Sequence, residues 1–411
     1  MSGIVFAQHA PVEAFQRLGA ELAIGDLPVS RLVERVGGTP FYAYHRRAIV
    51  DRVAALRSAL PSALHLHYAI KANPMPAVVQ LLAGLVDGLD VASAAELRTA
   101  LDTGTDPAAI SFAGPGKTPA EIAQAVAAGV TLNLESETQL EQALAAGERL
   151  GLAPQLALRV NPAFELKAAG MRMGGGPRPF GIDEARVPAA IARIRAAGLR
   201  LRGLHVYSGS QNLNAAALIE SQQRVLALAE RLCADLPSGM DWLNLGGGFG
   251  VPYFPGEKPL DLVPIGEALS ALVVRARDTL GVPLVLELGR YLVAEAGVYV
   301  CRVLDRKVSH DQVFLVTDGG LHHHLAASGN FGQVLRKNYP VAIANRLDAA
   351  LTEVQSVVGP LCTPLDLLAD RMALPSAEPG DLVAVFRSGA YGPSASPAAF
   401  LSHPAAREVL V

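Results

Sequence analysis

Eight short apolar runs, most of them separated by segments of helical spacing, constrain the fold of this 411-residue chain more than any other feature. The runs are Leu64–Ala69, Gly88–Ala92, Ala108–Ala113, Val130–Leu134, Leu156–Val160, Leu201–Tyr207, Trp242–Leu245 and Leu284–Leu288. Between them lie alanine- and leucine-rich stretches such as Pro76–Leu85, Ala94–Asp102, Pro119–Ala128 and Glu137–Leu150. Strands that alternate with helices build parallel sheets, and eight units in one continuous run fit a closed (β/α)8 barrel. A doubly wound open sheet is the competing architecture. The unit count and the unbroken run favour the barrel.

The texture changes after Arg290. Tyr291–Arg302, Val313–Thr317, Thr352–Val358 and Asp381–Phe386 read as strands joined by loops. The expected organisation is therefore a barrel over 45–290 and a C-terminal β domain over 291–411. Residues 1–44 read as a helical lead-in ending in a short strand at Phe41–Tyr44, and this segment completes the β domain. With 51% hydrophobic and 18% charged residues, the chain can bury a large core. A net charge of −3 gives no electrostatic case for a nucleic acid or an acidic membrane surface. Cys233, Cys301 and Cys362 are far apart and odd in number, which fits a reducing cytoplasm rather than a disulfide framework or zinc site. The first residues lack a basic region followed by a long apolar run, so no signal peptide is expected, and no apolar run reaches membrane-spanning length.

Barrel enzymes place their chemistry at the carboxyl ends of the strands. Those ends hold Lys71, Asp90, Arg159-Val160-Asn161, Tyr207 with Ser208-Gly209-Ser210, Gly246-Gly247-Gly248, and Glu287 with Gly289-Arg290. In His65–Pro74, HLHYAIKANP, the strand reads as ending on Lys71. The plain alternative is a surface lysine just past a strand. A desolvated lysine amine has a lowered pKa and can form a Schiff base with a carbonyl compound or with pyridoxal phosphate. Gly246–Gly250 is either a flexible turn or a phosphate cradle, with Arg290 and Ser210 as side-chain donors. Glu287, among apolar neighbours, needs a partner, either an arginine such as Arg159 or a protonated pyridine nitrogen. His322-His323-His324 point in different directions, so no shared metal is expected. Gly174–Gly176 followed by Pro177-Arg178-Pro179 marks a long loop after the fifth strand. Cys362, judged by residue type, reads as a buried apolar cysteine.

Taken together, YAIKAN (Tyr68–Asn73), DVAS (Asp90–Ser93), GPGKT (Gly114–Thr118), RVNP (Arg159–Pro162), GLHVYSGSQ (Gly203–Gln211), GGGFG (Gly246–Gly250), ELGR (Glu287–Arg290), GPLC (Gly359–Cys362) and GAY (Gly389–Tyr391) resemble the fold-type III, alanine-racemase-like pyridoxal phosphate enzymes. Within them the chain is similar to the diaminopimelate and ornithine decarboxylases. The resemblance implies that Lys71 holds the cofactor and that Asp90 and Arg159 orient the lysine and the cofactor surroundings. Ser210, Gly247, Gly248, Gly289, Arg290 and Tyr391 would bind the phosphate, and Glu287 would pair with the pyridine nitrogen. Cys362, from a neighbouring subunit, would return a proton to the carbanion. It further implies a head-to-tail homodimer whose sites are shared between subunits.

Three departures bear on specificity. Tyr207 stands where the family usually stacks a histidine on the cofactor ring. Leu288 replaces the proline of EPGR. Thr363 follows the cysteine where an acidic residue commonly reads the far amino group of a diamino substrate. The substrate side of the pocket is thus assigned to Arg290, Arg336, Thr363 and Tyr391, shaped by Gly170–Phe180 and His322–Tyr339. GMRMGGGPRPFGID (Gly170–Asp183) and FLSHPAAREVL (Phe400–Leu410) look like a branch found with exosortase A systems. Some relatives in the wider family act on an aminoacyl group tethered to a carrier protein. The resemblance implies decarboxylation of a free or carrier-bound amino acid. The rivals are a racemase on the same scaffold, which usually sets an arginine against the pyridine nitrogen, and a non-catalytic cofactor-binding protein, of which barrel-only relatives are the example.

Overall fold

The computed structural model describes residues 4–165, 171–234, 239–333 and 335–411. The expected stretches from Gly170 and through Val334 therefore lie partly outside the described residues. The chain divides into two compact units, Arg52–Val251 with Leu260–Gly289, and Met1–Asp51 with Pro252–Pro259 and Arg290–Val411.

The first unit is the barrel. Its strands are β1 (His65–Ala69), β2 (Gly88–Val91), β3 (Ile110–Phe112), β4 (Thr131–Leu134), β5 (Gln155–Asn161), β6 (Leu201–His205), β7 (Trp242–Asn244) and β8 (Leu284–Leu288). Each pairs in parallel with the next, β8 pairs with β1, and the ring is complete. That closure excludes the open doubly wound sheet. The short strand Ile182–Asp183 adds to β5 outside the ring. Leu66, Leu89, Phe112, Leu132, Leu158, Leu204 and Leu286 are among the fully buried strand residues.

Helices start directly after the strands because cap residues stand there. In α1 (Ala94–Asp102) the Ser93 hydroxyl accepts the Glu96 N–H. Thr118 and Glu121 form a reciprocal capping box at α2 (Pro119–Ala128), which has proline in its first turn and ends at Gly129, φ 74°. Ser136 caps α3 (Glu137–Leu150) in the same way.

The second unit is built on β9 (Gly297–Ser309), β10 (Gln312–Thr317), β11 (Val341–Ile343), β12 (Glu353–Val358), β13 (Leu367–Leu374), β14 (Leu382–Phe386) and β15 (Arg407–Leu410). The sheet runs β11-β14-β9-β10-β12-β13, and Phe41–Tyr44 joins it between β9 and β15. Phe15, Leu22, Ile24, Leu32, Phe41, Val300 and Phe386 form its core.

Three expectations are corrected here. Residues before Phe41 are not a helical lead-in. They form the strands Gln16–Leu18, Glu21–Ile24 and Leu27–Pro28 and one helix, Val29–Val36. Gly19 and Gly25, at φ 64° and 62°, turn the chain between those strands. Tyr291–Ala296 is helical, and the strand begins at Gly297, because a short apolar run fits either structure. Pro252–Pro259, counted with the barrel on sequence grounds, groups with the β unit, whose fully buried Arg387 donates to the carbonyls of Pro252 and Ala10. Among the described residues no helix is long and apolar enough to cross a membrane.

Candidate active site

β1 stops at Ala69, and Lys71 lies in the 3-10 turn Ile70–Ala72, just past the strand rather than on its last residue. Tyr68 Oη donates to the Asn73 carbonyl at 2.8 Å, and Asn73 Oδ1 accepts the Met75 N–H at 3.1 Å. These two contacts fix the turn. The Lys71 side chain is 37% exposed, between the surface lysine and the desolvated amine that the sequence left open. Its Nζ lies 3.3 Å from Oε1 of Glu287, the next-to-last residue of β8.

Glu287 is buried. Its other oxygen, Oε2, is 3.0 Å from His205 Nε2. Burial pushes the Glu287 carboxyl up. Lys71 and then His205 outweigh that and hold it well below the usual carboxylate range. Arg159 is not its direct partner. Arg159 Nη1 donates instead to Glu135 Oε1 at 3.0 Å.

Glu135, just past β4, is a site residue missed from sequence. Its Oε1 also accepts the Gly114 N–H at 2.5 Å, and Oε2 accepts the Gly181 N–H at 3.1 Å. Burial raises its carboxyl, and Arg159 and Lys117 more than reverse this. Lys117, from the GPGKT stretch, is buried and donates to the carbonyls of Gly114 and Asn133 at 2.7 and 2.8 Å. Burial brings its pKa down to about 8. The signal for Glu135 was its position, a carboxylate at a strand end like Asp90 and Glu287.

Asp90 Oδ1 accepts from Ser111 Oγ at 2.5 Å and lies 3.2 Å from His67 Nδ1, whereas the buried Oδ2 has no partner. Burial lowers the His67 pKa, but the Asp90 charge and hydrogen bond overcome it and the net shift is upward. Tyr207 supplies a ring 5.2 Å from Lys71 Nζ and 6.0 Å from Arg159 Cζ. Phe180 lies 5.1 Å from the same guanidinium. The loop after β5 is tied at its base: Gly175 N–H donates to Asn161 Oδ1 at 3.0 Å and Asn161 Nδ2 to Gly176 O at 2.9 Å.

The glycine run after β7 is packed against its neighbours. A Cβ on Gly247 would sit 1.8 Å from the Glu287 carbonyl, and Gly248, at φ 88°, meets the Gly209 carbonyl at 2.5 Å. Asn244 Oδ1 accepts the Gly246 N–H at 2.8 Å. No helix starts at this loop, since the next begins at Val263. Ser210 is buried at the β6 end, and Gly289 follows β8 with only 2.8 Å to the Ala72 methyl from its Cβ position.

In the β unit, Arg290 Nη1 donates to Tyr253 Oη at 3.0 Å, and its guanidinium lies 4.7 Å from the Tyr391 ring centre. Tyr391 holds a left-handed backbone at φ 54°. Cys362 is exposed, not buried as residue type suggested, because the GPLCTPLD turn is drawn in around Asp366 instead. Asp366 Oδ2 accepts the Leu361 N–H at 2.8 Å, and Thr363 Oγ1 accepts the Leu365 N–H at 3.3 Å. Arg336 donates to the carbonyls of Ser328 and Leu367, so its guanidinium serves the fold. The His322 and His323 rings lie 3.7 Å apart, with His323 Nε2 donating to the Pro404 carbonyl at 2.8 Å, whereas His324 points elsewhere, its Nε2 2.8 Å from Ser388 Oγ.

Residues 46–294 match the family model of the pyridoxal binding domain of pyridoxal-dependent decarboxylases. The chain is 40% identical to the L-glutamyl-[BtrI acyl-carrier protein] decarboxylase of Niallia circulans, over 90% of this chain and 88% of that one. It is 32% identical to the diaminopimelate decarboxylase of Aquifex aeolicus, over 95% and 90%. The structure of diaminopimelate decarboxylase from M. jannaschii in complex with L-lysine superposes with a TM-score of 0.87 at 26% identity, covering 97% of this chain and 93% of that one. A barrel closed around a strand-end lysine and a buried carboxylate, matched over most of its length, places the chain in the pyridoxal-dependent decarboxylase family.

Proposed function

We infer that the protein is a pyridoxal phosphate-dependent decarboxylase whose substrate is a carrier-bound aminoacyl group. The reaction class rests on the buried Glu287 carboxylate, held ionised 3.3 Å from Lys71. The residues present fit the cofactor. Lys71 is a primary amine at the barrel mouth, Tyr207 offers a ring face, Asp90 Oδ2 is a buried acceptor still lacking a donor, and half-buried Gly247 follows β7 where a Cβ would not fit.

Lys71 would hold pyridoxal phosphate covalently, Glu287 would face its ring nitrogen, Tyr207 would stack on it, and Asp90 and Arg159 would set the surroundings. Ser210, Gly247, Gly248, Gly289, Arg290 and Tyr391 are assigned to the phosphate. When bound, the cofactor supplies an electron sink for the pair released from the Cα–carboxylate bond. Glu287 keeps its charge in a buried site and so favours a proton on the facing nitrogen. Lys71 Nζ would yield its place on the cofactor to the substrate amine and regain it when the product amine leaves. Cys362, exposed in one subunit, is assigned to return a proton to Cα in its neighbour's site, which calls for a homodimer.

Thr363, in place of an acidic residue, and the relative acting on a glutamyl group attached to an acyl-carrier protein both support a tethered substrate over a free diamino acid. The exosortase-associated branch and a cytoplasmic location are part of the same reading. A carboxylate rather than an arginine beside the ring nitrogen argues against a racemase. A β unit carrying GPLC and GAY argues against a non-catalytic binder.

The test is carbon dioxide release by cofactor-loaded protein from free L- and D-amino acids, diaminopimelate and aminoacyl-carrier proteins. Release from an aminoacyl-carrier protein alone is the expected result. Release from diaminopimelate would move the assignment to a diamino acid. Loss of optical rotation without carbon dioxide would make it a racemase. Lys71→Ala should abolish both the visible absorption of bound cofactor and turnover.

A further inference from the structure

The mechanism above gives Glu287 one task and leaves its second oxygen unexplained. His205 ends β6, and Glu287 lies near the end of β8, with β7 between them in the ring. Both side chains are buried, at 2% and 5% exposure. His205 Nε2 lies 3.0 Å from Glu287 Oε2, at ion-pair distance but outside hydrogen-bond geometry, and no other acceptor meets either ring nitrogen. A buried N–H with no acceptor is costly, so the imidazole proton belongs on Nε2, the nitrogen that faces an acceptor. Tyr207 occupies the neighbouring inward position with its ring edge-on to His205, centres 6.4 Å apart.

We propose that His205 is a positioning residue for Glu287: it fixes Oε2 and so presents Oε1 to Lys71 and to the ring nitrogen of the cofactor. A buried carboxylate held at one oxygen can swing about its last torsion. Held at both, it meets its partner in one orientation. Outer partners of this kind orient metal-ligating side chains by the same logic. The proposal rests on the reading that Glu287 faces the ring nitrogen.

The test compares wild type, His205→Leu, His205→Gln, Glu287→Gln and the double variant Glu287→Gln/His205→Leu. Each is stripped and titrated with pyridoxal 5′-phosphate, followed by visible absorption, with thermal melting of the stripped protein alongside. Glutamine offers an amide N–H close to the place of Nε2. His205→Leu should weaken cofactor uptake by at least about tenfold, the scale of a lost hydrogen bond to a charged group, and change the pH dependence of the absorption band. His205→Gln should recover most of the uptake. In the Glu287→Gln background the leucine change should add less than about threefold, because its target charge is gone.

Equal uptake and band shape in wild type and His205→Leu would overturn the proposal. So would equal losses in the leucine and glutamine variants, or full additivity in the double variant, since each reports packing alone. If His205→Leu does not fold, His205→Gln and its combination with Glu287→Gln decide in the same way. Wild type that takes up no cofactor, or Lys71→Ala that keeps the band, would instead overturn the reading of the site itself, and the proposal with it.

Discussion

Arg159 Nη1 and Glu135 Oε1 meet at 3.0 Å with side chains only 8% and 1% exposed. The pair joins the ends of β5 and β4, and Glu135 adds the amides of Gly114 and Gly181. Removing one member of a buried pair strands the other charge. Glu135→Ala should therefore cost about 3–5 kcal/mol of stability by urea unfolding. Glu135→Gln, which keeps an acceptor oxygen, should cost clearly less. Equal losses would mean that the charge is immaterial.

Gly247 leaves no room for a methyl group, with the Glu287 carbonyl 1.8 Å from its Cβ position. Gly247→Ala should destabilise by about 1–3 kcal/mol, as overpacking does, and displace the backbone that carries Glu287. Cofactor uptake should fall with it. Gly116→Ala is the control, since nothing lies within 4 Å there. Matching melting temperatures for the two variants would refute the packing argument.

Lys117 carries a pH signature. Its pKa is down to about 8 in the folded protein from an ordinary 10.5, chiefly through burial. Between those values the unfolded chain binds more protons, so stability rises with pH across that window. The cost is fully present below about pH 8 and is relieved as pH climbs toward 10.5. Wild type should thus gain stability relative to Lys117→Met between pH 7 and pH 9.5. A difference that stays constant in urea titrations at the two pH values would count against a buried, charged lysine.

The proposed function puts Thr363 on the substrate side of the pocket, where the far amino group of a diamino substrate would call for an acid. Thr363→Asp should shift kcat/KM toward diaminopimelate, relative to a monoamino substrate, by roughly tenfold, the worth of one charge-assisted hydrogen bond. An unchanged ratio would place the reader of the distal group elsewhere.

Much of this architecture was legible because strand and helix periods repeat. The strands β1 to β8 coincide with the apolar runs within a residue or two, and Ser93, Thr118 and Ser136 mark where helices begin. Phe41–Tyr44, three aromatics in four residues, was readable from β propensity instead. The N-terminal strands were not, since strands of two to four residues carry no period and only Gly19 and Gly25 betray the turns. Among site residues, Lys71, Glu287 and the glycine run announce themselves through residue type out of place. Glu135 did not, because just before Ser136 it reads as an ordinary acid at a helix start. His205 and His67 were hidden by their partners, which lie far along the chain at Glu287 and Asp90.

The loop after β5 is clamped at both ends, by Asn161 on Gly175 and Gly176 and by Glu135 on Gly181. At Gly181, φ 77°, a Cβ would stand 2.8 Å from the Asn161 amide, so the exit from the loop admits only glycine. Beside these clamps Met171-Arg172 pairs with Gly209-Ser210 and Met173 N–H donates to the Ser208 carbonyl at 3.1 Å. The loop is thus a splint laid across the barrel rim, and an insertion that displaced Arg172 would be felt at Ser210.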